Sequence, residues 1–131
     1  MEAPVRLADH DLSGLVTDWL DWAEVATALG VTVASVRTLI REHQLAAAVP
    51  TPGVKGAGQR VPALFLVDGE TGPEILKGLP GVLTLMHDGG YDDRETIAWL
   101  FLDADLPGRP IDALRENRGS EVKRRAQAMA F

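Results

Sequence analysis

The spacing of residues around Gly30 constrains this chain more than any other feature. With Trp22 as the first of twenty positions, the small residue Ala26 falls where two helices would cross, and Gly30 falls in the turn between them. Apolar side chains fall at Val25, Leu29, Val31, Val36 and Leu39, the positions that such a pair must bury. A larger side chain at Ala26 would hold the helices apart, and only glycine enters the left-handed turn cheaply. Asp21 and Glu24 have the spacing of a capping box, and Thr32 can cap a second helix running to about Gln44. The pattern predicts a helix-turn-helix over residues 22–41. Its second helix would present Thr32, Ala34, Ser35, Arg37, Thr38 and Arg41 on an open face. Those residues suit phosphates and guanine edges in a major groove of double-stranded DNA. The plainer alternative is a two-helix corner whose polar face is only solvated.

Past the second helix the chain changes character. Leu45–Val49 and Val61–Val67 are apolar runs too short for helices, and between them lie Pro50, Pro52, Gly53, Lys55, Gly56 and Gly58. This reads as a β-hairpin with a long tip, a wing whose Lys55, Gln59 and Arg60 would grip the DNA backbone beside the groove. Pro62 belongs on an edge strand or at a strand start. Before the motif, Leu12–Leu20 has helical spacing, although Gly14 and Val16-Thr17 leave room for a short strand. Asp68–Gly72 is a polar turn. Beyond it, Pro73–Gly78, Val82–Asp88, Ile97–Leu102 after a capped start at Asp92-Asp93-Arg94-Glu95, a helix opened by Pro110, and a last one capped by Gly119-Ser120 and running to Phe131 read as helical. The expected class is mainly α with a small β-hairpin wing, a winged helix-turn-helix followed by a C-terminal helical half. Its parts would be a flexible tail at 1–11, a DNA-binding domain at 12–68, and a helical domain for interaction or dimerisation at 72–131.

Charge sharpens the functional reading. The net charge of −6 argues against non-specific attraction to phosphates. The distribution is uneven, however: residues 1–24 set Arg6 against Glu2, Asp9, Asp11, Asp18, Asp21 and Glu24, a balance of −5. Residues 37–60 set Arg37, Arg41, Lys55 and Arg60 against Glu42, a balance of +3. A basic segment inside an acidic chain predicts modest, salt-sensitive affinity. The absence of cysteine removes disulfides and thiolate metal sites. Apolar runs such as Ala98–Leu102 are too short for a bilayer, and Met1–Pro4 does not open a secretory signal. No membrane association is expected, and the expected location is the cytoplasm, at the nucleoid.

Catalytic constellations are thin. His10, His43 and His87 lack metal-ligand spacing. His87-Asp88 matches a dipeptide of metal-dependent phosphohydrolases without a convincing set of further ligands. Gly53, Gly56 and Gly58 precede no Gly-Lys-Ser/Thr, so they make no phosphate loop. Asp103 and Asp105 are too few for a calcium loop. Trp19, Trp22 and Trp99 read as core anchors, and Lys123, Arg124 and Arg125 as a solvated helix face or a further DNA contact. No enzyme, cofactor or metal is expected.

Three strings in the second half are distinctive: Leu79–Tyr91 followed by Trp99-Leu100-Phe101, Arg109–Leu114, and Arg124–Phe131. With the helix-turn-helix, they make the chain resemble the actinobacterial winged helix-turn-helix proteins typified by a mycobacterial substrate of the Ser/Thr protein kinase L. The resemblance covers residues 20–131 and implies a DNA-binding regulator of transcription or a nucleoid-associated protein. The family's typical member carries a phosphoacceptor threonine in a longer N-terminal tail. Here Ser13 and Thr17 are the only hydroxyls before the motif, which leaves Thr17 as the candidate for a Ser/Thr kinase. The Trp-Leu, Gly-Arg-Pro and Asp-Ala-Leu layout also resembles, loosely, the toxin-binding domain of some antitoxins. The alternative function is therefore an antitoxin-like or scaffold module acting through its helical half. A single DNA-binding unit binds weakly, so self-association into a dimer is expected with the first reading.

Overall fold

The structure, a computed structural model, describes residues 6–51, 58–102 and 108–131. A short helix α1 (Leu12–Leu15) is capped by Asp11 and leads into a two-residue strand β1 (Trp19–Leu20). The helix-turn-helix comes next as α2 (Trp22–Leu29) and α3 (Val33–Arg41). Strand β2 (Val61–Pro62) pairs antiparallel with β1, Trp19 opposite Pro62 and Leu20 opposite Val61. Arg60, one residue earlier, bridges to Ala48 on the other side. The wing is thus a minimal three-segment ribbon. Of the run 45–49 only Ala48 pairs as a strand, and Leu45, Ala46, Ala47 and Ala48 are all buried in the core. The wing tip, residues 52–57, lies outside the described residues.

A second hairpin, β3 (Leu66–Gly69) and β4 (Gly72–Ile75), turns at Glu70-Thr71. The polar turn expected at Asp68–Gly72 is therefore the tip of a hairpin. Pro73 sits in β4 and not in a helix: it faces Asp68 across a two-stranded sheet, where its missing N–H costs little. The helical half comprises α4 (Leu79–Asp88), α5 (Asp93–Phe101), α6 (Pro110–Arg115) and α7 (Gly119–Ala130). Pro110 opens α6 as expected. Helix α7 starts after Arg118 without the side-chain cap that Gly119-Ser120 suggested. The fold is mainly helical, a winged helix-turn-helix followed by a helical C-terminal half.

One buried cluster runs through both halves. It includes Leu12, Val25, Val36 and Leu45 from the first and Leu79, Met86, Ile97, Leu100 and Ile111 from the second. Phe65 and Phe101 join them, with ring centroids 6.1 Å apart. The three tryptophans are half-buried and pack against this cluster. Segment 7–11 lacks large apolar residues beyond Leu7, yet a distant arginine ties it down. Arg94 Nε donates to the Ala8 carbonyl and Nη2 to that of His10.

Helix α5 opens with a complete capping box, Asp92 with Glu95, as its sequence suggested. The next residue, Asp93, reaches across the halves and accepts the N–H of buried Ala47 at 3.1 Å. Burial pushes the Asp93 carboxyl above its ordinary range, and the Ala47 bond only partly opposes this. Ionising Asp93 therefore costs the folded state. Its contribution is most favourable below the ordinary carboxylate pKa and declines as pH rises through the raised value. Asp93→Ala should destabilise by about 1–3 kcal/mol, since it orphans a buried N–H. Asp93→Asn, which keeps an acceptor and removes the charge, should cost much less and flatten that pH-dependent decline. Urea midpoints measured across the acid range would check both.

Candidate nucleic-acid interface

The geometry of the interface begins with the turn. Glu24 donates its N–H to Asp21 Oδ1 at 2.7 Å, and Glu24 Oε1 accepts from the Asp21 N–H at 3.0 Å, which fixes the start of α2. At its end Gly30 takes φ +69°, donating its N–H to the Thr27 carbonyl, while the Val31 N–H reaches back to Ala26. This pair of bonds is a Schellman closure, and it reverses the chain within three residues. Helices α2 and α3 consequently meet at 100°. Val25, Ala26 and Val36 are buried at the crossing, with Leu29 and Leu39 half-buried around them.

Val31 departs from the expected pattern. It is 40% exposed where the spacing called for burial. The closure engages its backbone, and its side chain stands outside the helix crossing. There it lines a shallow depression on the surface of α3 with Ala34, Ser35, Thr38 and Leu39.

The outward face of α3 holds the expected residues. Thr32, Ala34, Ser35, Arg37 and Arg41 are exposed, and Thr38 is half-buried. Their hydrogen bonding differs from the simple picture of a row of free donors. Thr32 caps α3 by accepting the Ser35 N–H at 3.1 Å, and its hydroxyl donates to Ser35 Oγ at 3.0 Å. Thr38 donates to the Ala34 carbonyl and accepts from Arg41 Nη2 at 3.4 Å. Arg37 lies over the Trp22 ring, 5.8 Å from its centroid, an exposed cation–π contact. The helix itself ends sooner than Gln44. Glu42 is its cap, and His43 takes φ +59° in a second Schellman closure, with the Gln44 N–H on the Leu39 carbonyl.

On the wing, Gln59 and Arg60 are exposed. Arg60 exchanges both backbone hydrogen bonds with Ala48, at 2.9 and 3.0 Å, so its side chain is carried on a fixed strand. Gln59 lines a depression with Ala47, Ala48, Asp92, Asp93 and Arg94. Lys55 lies outside the described residues. Thr17 is exposed between α1 and β1, and Lys123 and Arg124 are exposed on α7.

One juxtaposition has no counterpart in the sequence pattern. His43, just past α3, stacks on His87 at the end of α4, with centroids 3.9 Å apart and 28° between planes. Nothing in the spacing of these histidines announces it, because the contact depends on how the two halves dock.

The turn offers a clean test of the backbone argument. A Cβ at Gly30 would meet nothing within 4 Å, so Gly30→Ala should be penalised by its positive φ alone. The expected loss is about 1–2 kcal/mol. Gly30→Asn should lose less, since asparagine tolerates this conformation. Thermal unfolding of the two variants beside the wild type would measure the difference.

Comparison with known proteins agrees with this architecture. Residues 8–66 match the family described as DNA-binding protein Rv2175c, wHTH domain, and residues 76–130 match the Rv2175c C-terminal domain of unknown function. The chain is 39% identical over 124 residues to "DNA-binding protein Rv2175c" of Mycobacterium tuberculosis, covering 85% of this chain and 80% of that protein. It also superposes on the NMR structure of Rv2175c with a TM-score of 0.71 at 38% identity, over 87% of this chain and 82% of that one. With both of its halves matched in order, the chain belongs to the Rv2175c family of winged helix-turn-helix proteins.

Proposed function

We propose that this protein binds double-stranded DNA, with α3 in the major groove and the wing on the flanking backbone, as a transcriptional regulator or nucleoid-associated protein. The observation that carries the reading is the helix pair crossing at 100° with Ala34, Ser35, Arg37 and Arg41 exposed on its second member. A helix held at that angle, with one face open and two guanidinium groups on it, has the form of a recognition helix. The relative named as a DNA-binding protein supports the same reading. Arg37 and Arg41 serve as anchors, Thr32, Ser35 and Thr38 line the approach to the bases, and Lys55, Gln59 and Arg60 grip the backbone. No catalytic role is assigned. The exposed Thr17 is the residue offered to a Ser/Thr kinase, and the protein acts in the cytoplasm at the nucleoid.

Four cations, Arg37, Arg41, Lys55 and Arg60, make the reading quantitative. If each neutralises one phosphate, log affinity should fall against log salt with a slope of about −3.6. Arg41→Ala should make the slope shallower by about 0.9. Fluorescence anisotropy with a labelled duplex across a salt series reads both quantities. A flat response, or an Arg41→Ala variant that binds as the wild type does, would remove α3 from the interface.

One unit of this size binds weakly, so the DNA-bound form should be a dimer or a cooperative array. Light scattering of the complex should therefore give more than one protein per site. A strict monomer on DNA would exclude that arrangement.

A further inference from the structure

Among the described residues, Val31 and Val33 are exposed, at 40% and 44%, whereas every other valine is buried or half-buried. They flank Thr32 at the start of α3, the end of a recognition helix that meets base edges first. Val31 lines the depression whose other walls are Ala34, Ser35, Thr38 and Leu39. The two threonine hydroxyls nearby are occupied within the helix, Thr32 with Ser35 and Thr38 with the Ala34 carbonyl. What this surface offers a base edge is therefore largely apolar. Helix α3 carries no acidic residue from Val33 to Arg41, and it carries Arg37 and Arg41. An apolar depression beside cations, without acids, fits a polyanion that displays methyl groups.

We propose that this depression receives the 5-methyl group of thymine in the major groove, so that α3 selects its site by apolar contact at Val31 and Ala34. Thymine is the one DNA base that presents a methyl group in that groove. The proposal rests on the DNA-binding reading and adds to it the basis of specificity. Arginines and phosphates set affinity for any duplex, and the valine surface discriminates among sequences.

The test replaces thymine by deoxyuridine, which pairs identically and lacks only the methyl. A duplex selected by the wild-type protein from a random pool at low salt is remade with deoxyuridine at each thymine in turn. Affinity should fall about fourfold for each methyl that is recognised, the equivalent of burying one methylene-sized group. Val31→Thr keeps the side-chain volume and puts a hydroxyl in place of one methyl. That variant should lose much of the discrimination between the thymine and deoxyuridine duplexes while keeping the wild-type salt slope, since one methyl at position 31 and Ala34 remain. Equal binding of both duplexes by the wild type would overturn the proposal without any variant. So would discrimination undiminished by Val31→Thr, or a Val31→Thr effect confined to self-association in light scattering, which would make this face a contact between copies. Failure to bind any duplex at low salt would overturn the DNA-binding reading and this proposal together. Binding without methyl discrimination would overturn this proposal alone.

Discussion

The placement of the wing depends on one side chain of the other half, Arg94. Its Nη1 donates to the Val49 carbonyl at 2.8 Å, its Nη2 to that of His10 at 2.6 Å, and its Nε to that of Ala8 at 3.2 Å. A guanidinium can serve three carbonyls at once because its donors diverge in a rigid plane, which the compact ammonium of lysine does not reproduce. Asp93 adds the Ala47 N–H beside it. The first turn of α5 thus fixes both the N-terminal segment and the chain leaving α3. It is itself held by the Asp92–Glu95 capping box and by the burial of Ile97, Ala98, Leu100 and Phe101. Charge-assisted bonds of this kind are stronger than neutral ones, and these bear on backbone atoms whose position sets the wing.

Much of the local architecture was legible because its causes are local. Asp21, Thr32 and Asp92 cap the helices that the spacing predicted, Gly30 turns where expected, and Pro110 opens its helix. Each of these depends on residues three or four apart. The departures have two kinds of cause, pairing between distant segments and local conformations that no residue type marks. The end of α3 falls earlier than the pattern suggests because its left-handed residue is His43, where no glycine marks the stop. Strand β1, which the sequence left open beside a helix, is decided by β2, which pairs with it from more than forty residues away. Pro73 looked like a helix start, and the hairpin partner Asp68 decides otherwise. Val31 stands at a position where the spacing calls for burial, yet its side chain is 40% exposed beside the turn. For the interface, the identities of the face residues were legible. The engagement of Thr32 and Thr38 within the helix was not, since it rests on rotamers that the sequence does not display.

The acidic total charge and the proposed partner are reconciled by placement. Asp21 and Glu24 are consumed in capping α2, at an end where the helix dipole favours negative charge. Asp112 is paired with Arg109 at 2.9 Å on α6, and Glu116 and Glu121 share Arg118. Helix α3 keeps its guanidinium groups at the surface. Net charge therefore lowers long-range attraction to DNA in general, while the local face keeps its own sign. Such a balance favours sites chosen by short-range contact over indiscriminate binding.

The helical half also has a mechanical relation to α3 that does not require a partner of its own. Helix α7 packs along α4, and their ends approach closely. A Cβ at Gly89 would collide with that of Ala130, so only glycine allows the contact. Tyr91 adds a bond from its hydroxyl to the Met129 carbonyl. These contacts fix the end of α4, where His87 stacks on His43. His43 is the residue whose left-handed backbone terminates α3, a conformation that costs about 1–2 kcal/mol for an L side chain and needs support from its surroundings. The contact therefore runs from α7 through α4 and the histidine pair to the end of α3. One end of α3 is fixed locally by Gly30 and Thr32, and the other is fixed by the packing of the second half. Both are needed if a helix of nine residues is to present its side chains to a groove at a constant angle.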